Sequence, residues 1–315
     1  MGIGDLQVEI RNRSIGGLTG FRLAGALGRV PVEEAVSSRH EAWKEHGFNL
    51  DADRSLTICT YVDNLYSASA SVGGAIQILE DAAQHIHTTW GQCMKPSSRL
   101  LMPCRGNSDE LPDVSRWKVV KIFPALGHLI QDDSQVRACF NATRAAMWRA
   151  FWATCRHHSV KSAPLDVKLL LLSRACIPIL SYRCSRWPPS NALAIELDRL
   201  QAKMVAAIAR TARLPGEPLH DYCRRRRRLA AALCRRHGLW SQHWYKRVVD
   251  WDGHLARGHA EHSWPVQLRS FHGEHWLDAH RAFMQSRGTM ARMMRGRPAQ
   301  RWHDGVNFAR QQLAQ

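Results

Sequence analysis

Residues 191–212 read Asn191-Ala-Leu-Ala-Ile-Glu-Leu-Asp-Arg-Leu-Gln-Ala-Lys-Met-Val-Ala-Ala-Ile-Ala-Arg-Thr-Ala212. The large apolar residues recur at steps of three or four positions, which places them on one face of an α-helix. These residues are Leu193, Leu197, Leu200, Met204 and Ile208. Because an amphipathic helix must bury its apolar face, the stretch predicts a helix that packs into a core.

Two segments upstream of this stretch also have helical patterns. Residues 138–158 carry large side chains on one face, at steps of seven, four and four, and these are Phe140, Met147, Phe151 and Cys155. Residues 165–182 are strongly apolar, and we expect Pro178 to kink the helix that they form. Three consecutive helices joined by proline-containing connections predict a small helical bundle.

The first half of the chain has strand patterns instead. Apolar and polar residues alternate over 55–62, which predicts a strand, and Asp63-Asn64 stands where a tight turn belongs. A second short strand over 65–71 completes a predicted hairpin with an acidic tip. We expect Gly73-Gly74 to end this hairpin. The other elements predicted here are helices over 32–46 and 75–90, a strand over 99–103 and a hairpin over 117–130, divided at Gly127.

The charge is high and unevenly distributed. The net charge is +17, and residues 201–315 hold 21 basic and 8 acidic residues, which gives them +13 and leaves +4 for residues 1–200. A basic C-terminal third favours a polyanionic partner, of which nucleic acid is the commonest. The alternative is a basic surface that serves solubility.

Composition excludes several classes of protein. A hydrophobic content of 45% with 23% charged residues fits a folded chain and argues against wholesale disorder. We expect no membrane span and no secretion signal, and therefore a nuclear or cytoplasmic location. The nine cysteines include no C-x-x-C, so we expect reduced thiols. One loose grouping, Cys223, Cys234, His237 and His243, does not have zinc-finger spacing.

Five motifs, in chain order, resemble segments of non-LTR (LINE-type) retrotransposon reverse transcriptases. Tyr61-Val62-Asp63-Asn64 resembles the Tyr-Ala-Asp-Asp hairpin, and residues 91–102, with Lys95-Pro96-Ser97, resemble the segment after the long palm helix. Residues 123–130 are similar to the "YLG" hairpin at the border of palm and thumb. Towards the end of the chain, 251–257 resembles a W-x-GH-x-x-R segment and 295–304 a GRP-x-x-RW-x-D segment.

The resemblance implies an α+β fold in which a partial polymerase palm of β-hairpins plus a helix precedes an α-helical thumb bundle. The expected boundaries are 1–54 for an N-terminal remnant, 55–133 for the partial palm, 134–214 for the thumb and 215–315 for a basic, partly ordered C-terminal region. The implied parent activity is RNA-directed DNA synthesis. Its partners would be an RNA template, a DNA primer and a companion chain that supplies the missing fingers and half of the palm.

The same resemblance implies a weakened catalytic site. The family holds Mg²⁺ or Mn²⁺ with one upstream aspartate and two adjacent aspartates at the hairpin tip, since hard cations prefer carboxylate oxygens. Asp63 matches the first tip position as a metal ligand, whereas Asn64 stands at the second and offers only a neutral amide oxygen. No upstream aspartate strand is recognisable before Tyr61. We therefore expect weak or absent metal binding and a truncated or degenerate, inactive polymerase.

Nucleic-acid binding is the function that we expect to survive. The candidate contacts are basic residues of the thumb-like helices, the arginine run and one palm-side lysine, namely Lys95, Arg137, Arg144, Arg149, Arg156, Lys168, Arg224, Arg225, Arg226, Arg227 and Arg228. Cations at such positions neutralise phosphates and release counterions. The alternatives are a solvated polar face and, for the arginine run, a nuclear-import signal or a helix with charge on all sides.

The tryptophans also have two interpretations. Aromatic rings between arginines can stack on unpaired bases, or they can fill a small core. For Trp148, Trp152 and Trp187 we favour core packing, and for Trp240, Trp244 and Trp251 the pattern does not decide. For the whole chain, the alternatives to a reverse transcriptase are a non-catalytic nucleic-acid-binding protein and an α-helical protein-interaction module.

Overall fold

The structure is a computed structural model, which describes residues 2–3, 6–7, 24–50, 55–61, 64–103, 115–131, 136–155, 157–257, 264–274 and 302–315. It divides the chain into two compact units, Met1–Val120 and Lys121–Gln315. Most described residues are helical and the sheets are small, so the chain mixes helix and strand, compatible with the predicted α+β class. No helix among the described residues is long and apolar enough to cross a membrane.

The first unit contains two long helices and several short strands. The helices are α1 (Ala24–Trp43) and α2 (Val72–Trp90), and the strands are β1 (Gly2–Ile3), β2 (Leu6–Gln7), β3 (Phe48–Asn49), β4 (Ser55–Leu56), β5 (Ile58–Tyr61), β6 (Asn64–Ser67), β7 (Leu100–Leu101) and β8 (Lys118–Val119). Strands β1–β2, β3–β4 and β5–β6 pair antiparallel, and β7 pairs with β8 in parallel.

The hairpin β5–β6 corresponds to the one predicted from the alternating pattern. Ile58 pairs with Ser67 and Tyr61 with Asn64, so the tip lies between Tyr61 and Asn64. Strand β5 contacts α1, and β6 contacts α2. The two helices and the hairpin therefore enclose a small core, which consists of Trp43, Ile58, Ile78, Leu79, Ala82, Leu101 and Trp117.

Both helices of the first unit begin earlier than their patterns predict. Helix α2 begins at Val72, so Gly73 and Gly74 lie in its first turn and do not end the hairpin. The Ser71 hydroxyl caps this turn by accepting a hydrogen bond of 3.0 Å from the backbone N–H of Gly74. A Cβ at Gly74 would lie 2.8 Å from the backbone oxygen of His46, which explains the glycine. Helix α1 begins at Ala24 and contains Pro31.

A carboxylate on α2 ties the two helices together. Asp81 accepts hydrogen bonds from the Arg39 guanidinium at 2.9 and 2.6 Å and from the Trp43 indole N–H at 2.8 Å. These bonds lower the pKa of Asp81, Arg39 contributing most and outweighing the opposing effect of burial. The ion pair thus joins α1 to α2 beside the core.

In the part of the second unit that the structure describes, one hairpin is followed by helices. Its elements are β9 (Ile122–Ala125), β10 (His128–Gln131), α3 (Arg137–Cys155), α4 (His158–Ser162), α5 (Leu165–Cys184), α6 (Asn191–Ala209), α7 (Leu219–His237), α8 (Trp240–Ala256), α9 (Trp264–Glu274) and α10 (Trp302–Leu313). The three helices predicted over 138–212 correspond to α3, α5 and α6, and α5 continues through Pro178 to Cys184.

The hairpin β9–β10 turns at Leu126 and Gly127, whose φ angles of 48° and 76° are both positive. Two consecutive positive φ angles give a two-residue turn whose twist matches the right-handed twist of the flanking strands. The Tyr182 hydroxyl of α5 donates a 2.7 Å hydrogen bond to the Leu126 carbonyl, and a Cβ on Gly127 would lie 2.8 Å from the Tyr182 ring. Tyr182 therefore fixes the turn against the bundle.

Helices α3, α5, α6 and α8 share one apolar core. The predicted apolar face of α6 is buried in it as expected, with Leu197 1% and Met204 0% exposed. Trp187 and Trp244 are fully buried and meet edge to face, with ring centroids 6.1 Å apart. Core packing is thus confirmed for Trp187, whereas Trp152 is 49% exposed and the core prediction for it is wrong.

The region after residue 215 is more helical than we predicted. Helix α8 buries Trp240, Trp244 and Val248 at intervals of four residues, and it contributes to the same core as α6. The polar residues between them, among them Gln242, His243 and Lys246, obscure this helical spacing in the sequence. Residues 258–263 and 275–301 lie outside the described residues, and they include most of the predicted 295–304 motif.

A buried carboxylate connects three of the described helices, α8, α9 and α10. Asp252 of α8 is 3% exposed and accepts hydrogen bonds from Arg269 of α9 and the Trp302 indole of α10, both at 3.0 Å. Arg310 of α10 approaches its other oxygen at 3.4 Å. Burial raises the pKa of Asp252, but these bonds and charges outweigh it, so the pKa is below its usual value.

Candidate nucleic-acid interface

Helices α3 and α6 enclose the first part of a basic groove. Its volume is about 420 Å³. Helix α3 contributes Phe140, Arg144 and Trp148 to the lining, and α6 contributes Glu196, Arg199, Leu200 and Lys203. Since side chains four apart share one face of a helix, Arg144 and Trp148 face the cavity together, as do Arg199 and Lys203.

Helices α6 and α7 enclose the second part, with a volume of about 560 Å³. Its lining residues are Arg199, Ala202, Lys203, Ala206, Cys223, Arg226, Arg227 and Ala230. Arg199 and Lys203 border both cavities, so the cationic face of α6 forms a ridge between them. We call the two cavities and this ridge the basic groove. The small alanine side chains of its second part leave room for a close ligand.

Positive charge predominates among the residues that line the basic groove. The lining contains five cationic side chains, Arg144, Arg199, Lys203, Arg226 and Arg227, and a single carboxylate, that of Glu196. Arg137 holds Glu196 in an ion pair, with N–O distances of 2.7 and 3.1 Å. The Arg137 hydrogen bonds, and then the charges of Arg137, Arg144 and Arg199, lower the pKa of Glu196. This geometry favours an anionic ligand.

The floor of the first cavity is apolar. Phe140 and Leu200 are buried there, while the Trp148 ring is half-buried and lines the cavity wall. Cations above an apolar and aromatic floor suit a ligand that combines phosphates with flat rings.

The arginine run divides into structural and exposed members. Arg225 makes hydrogen bonds of 2.8 and 2.9 Å to the Glu217 carboxylate and of 2.8 Å to the Ala212 carbonyl. The hydrogen bonds from Arg225 are the main reason that the pKa of the Glu217 carboxyl is lowered to about 2. Arg226 donates to the Ala206 carbonyl near the end of α6 at 3.1 Å. Arg224, Arg227 and Arg228 are exposed, and of these three Arg227 lines the groove.

The other predicted basic contacts are scattered. Arg144 lies in the basic groove, and Arg137 borders it through Glu196. Arg149 is exposed on α3 without lining either cavity, and Lys168 is half-buried on α5. Lys95 is exposed in the first unit, just before a single 3-10 turn at Pro96–Ser98. Arg156 lies outside the described residues.

The predicted metal ligand, Asp63, also lies outside the described residues. Asn64 is exposed, and its amide donates a 3.4 Å hydrogen bond to the Tyr61 carbonyl. Within the part of the chain that the structure describes, no three His, Cys, Asp or Glu side chains are grouped to hold a metal. That holds for Cys223, Cys234, His237 and His243 as well.

Sequence reasoning missed the two residues that join the cavities, Arg199 and Lys203. Their signal was present, because they recur at i and i+4 on the polar side of the most regular amphipathic helix. No known protein family, no curated protein and no solved structure matches this chain. The function of the basic groove must therefore be inferred from its own residues.

Proposed function

We propose that this chain is a degenerate reverse transcriptase of the non-LTR retrotransposon type, which binds nucleic acid without extending a primer. The order of its elements supports the proposal. A hairpin with Tyr61 and Asn64 beside its tip precedes α2, a second hairpin turns at Gly127, and a helical bundle follows. Three of the five resembling motifs lie at these hairpins or directly after α2.

The observation that carries the binding function is the basic groove. Phosphates are the anions that cationic grooves most often meet, and each phosphate neutralised releases counterions. Arg144, Arg199, Lys203 and Arg227 belong to three different helices, so only tertiary packing brings them around the two adjoining cavities of the basic groove. The net charge of +17 adds a long-range attraction to any polyanion.

The proposal that the chain is catalytically inactive depends on the hairpin tip. Two-metal phosphoryl transfer needs several carboxylate oxygens around the cations. Asn64 supplies no charge at the second tip position, which leaves Asp63 as the matching carboxylate there. Weak metal binding would leave the 3′ hydroxyl of a primer without its activating cation.

Binding is tested by salt titration of the whole chain on a labelled RNA–DNA primer–template duplex. We expect affinity to fall log-linearly with salt concentration. The double variant Arg199→Ala/Lys203→Ala should weaken binding and make the slope shallower by about 2, since each duplex phosphate contact contributes roughly 0.9. Arg235→Ala/Arg236→Ala is the matched control, because it removes the same number of charges from α7, where both side chains are exposed and neither lines the groove.

Two outcomes would overturn the binding function. One is an absence of binding even at low salt, which would favour a protein-interaction module. The other is an equal effect of the groove variant and the Arg235→Ala/Arg236→Ala control, which would show that the basic charge acts without a defined site.

Catalysis is tested in the same tubes by adding nucleotides with Mg²⁺ or Mn²⁺. We expect no primer extension by the wild-type chain and none by Asn64→Asp, because one restored carboxylate does not supply the missing upstream aspartate. Extension by the wild-type chain would contradict the inactive assignment, and extension by Asn64→Asp alone would locate the whole defect at residue 64.

A further inference from the structure

Two tryptophans of α3 form a stack that begins in the basic groove and ends in solvent. The Trp148 ring lines the first cavity, and the Trp152 ring lies nearly parallel to it, with centroids 6.0 Å apart and an interplanar angle of 20°. Trp148 is half-buried, whereas Trp152 is 49% exposed. The exposed end of the stack is thus one ring away from the cations.

The stack has a rigid support. Phe151, which is 1% exposed, meets Trp148 at 5.3 Å and 90° and Trp152 at 4.9 Å and 74°. These edge-to-face contacts orient both indoles from the core side. The Trp152 ring is therefore held in one orientation while about half of its surface, 49%, remains open to a ligand.

We propose that an unpaired base of the nucleic acid in the basic groove stacks on Trp152. This inference rests on the proposed function, because the phosphates held by Arg144 and its neighbours would bring the base to the ring. The bases within a duplex already have both faces covered by neighbouring bases. The ligand class that the site selects is therefore a duplex that continues into a single strand.

The test compares a blunt RNA–DNA duplex with the same duplex carrying a short single-stranded RNA extension, using the full chain. We expect the wild type to bind the extended duplex more tightly. Trp152→Ala should weaken binding to the extended duplex about 5- to 150-fold, the range for one base–aromatic stack. It should change binding to the blunt duplex little. Its salt slope should stay unchanged, because no phosphate contact is lost.

Two further variants separate stacking from a structural effect. Trp152→Phe keeps an aromatic face and should retain most of the preference for the extended duplex. Trp90→Ala removes an indole that is 43% exposed in the other unit, and it should change neither affinity.

Each contrary result has a distinct meaning. Equal affinity of the wild type for both duplexes, or an equal loss on both by Trp152→Ala, would overturn the stacking inference and leave the groove function intact. A wild-type dimer that Trp152→Ala dissociates would assign the ring to self-association and also overturn it. Failure of the wild type to bind either duplex would remove the proposed function together with this inference.

Discussion

Arg137 of α3 and Glu196 of α6 form a bidentate ion pair at the edge of the basic groove, with N–O distances of 2.7 and 3.1 Å. The pair neutralises the only carboxylate among the residues that line the groove. It also occupies one of the arginines that the sequence proposes as a phosphate contact. Under the proposed function, the position of Glu196 therefore limits how many phosphates the basic groove can hold.

Removing this carboxylate should tighten nucleic-acid binding. In Glu196→Gln, Arg137 is released and the groove gains one positive charge, so affinity should rise and the salt slope steepen by roughly 0.9 if one more phosphate is held. Glu41→Gln is the control, because Glu41 pairs with Lys44 on the exposed surface of the other unit. Equal affinities of Glu196→Gln and the wild type would show that Arg137 does not reach a phosphate.

Asp252 should be among the most sensitive positions for stability. Asp252→Ala leaves Arg269 and the Trp302 indole without their shared acceptor, and we expect the free energy of unfolding to fall by about 2 kcal/mol in urea titrations. Asp250→Ala, two residues away, breaks only an exposed pair with Lys246 and should change it by less than about 0.5 kcal/mol. Similar losses in both variants would contradict a connecting role for Asp252.

Gly127 and Gly216 form a matched pair for testing the contact with Tyr182. Both have positive φ, 76° and 73°, so alanine at either position suffers the same kind of backbone strain. A Cβ at residue 127 would also press on the Tyr182 ring, whereas a Cβ at residue 216 would meet nothing within 4 Å. The loss of unfolding free energy in Gly127→Ala should exceed that in Gly216→Ala by about 1 kcal/mol. Equal losses would mean that Tyr182 moves aside freely.

His128 should make stability depend on pH. Burial, followed by the charges of Arg186 and Arg183, lowers the pKa of His128 from 6.5 to about 4. The folded chain then keeps this ring neutral, and Arg186 donates a hydrogen bond to its Nε2 atom. Between pH 6.5 and 4 the unfolded chain binds a proton that the folded chain does not, so stability is complete above 6.5 and falls as the pH decreases through this window.

The size of this effect can be measured against a variant that does not titrate. The full shift would correspond to roughly 3 kcal/mol, and we expect about 1 kcal/mol, because the ring is only half-buried and solvent screens the charges. Urea titrations of the wild type and His128→Gln at several pH values give the difference. Parallel pH profiles for the two proteins would refute the assignment.

Much of the local structure could be predicted from the sequence. The alternating pattern before Tyr61 predicts the hairpin β5–β6, and the apolar residues of 191–212 predict α6 and its buried face. Element boundaries were less accurate where capping decides them, as at Ser71, whose hydroxyl starts α2 ahead of both glycines. The helical spacing of Trp240 and Trp244 is obscured by the polar residues around them, so the contribution of α8 to the core was not predicted.

The sequence by itself determined that α2, α3, α5 and α6 are helical, which face of α6 is apolar and how strongly basic the chain is, because periodicity and charge are local properties. Only the tertiary structure decided which cations act together. Arg144, Arg199 and Arg227 are far apart in sequence, and the packing of α3 and α7 on opposite sides of α6 brings them to one groove. The tertiary structure also pairs Arg225 with Glu217, since the environment of a side chain depends on its neighbours in space.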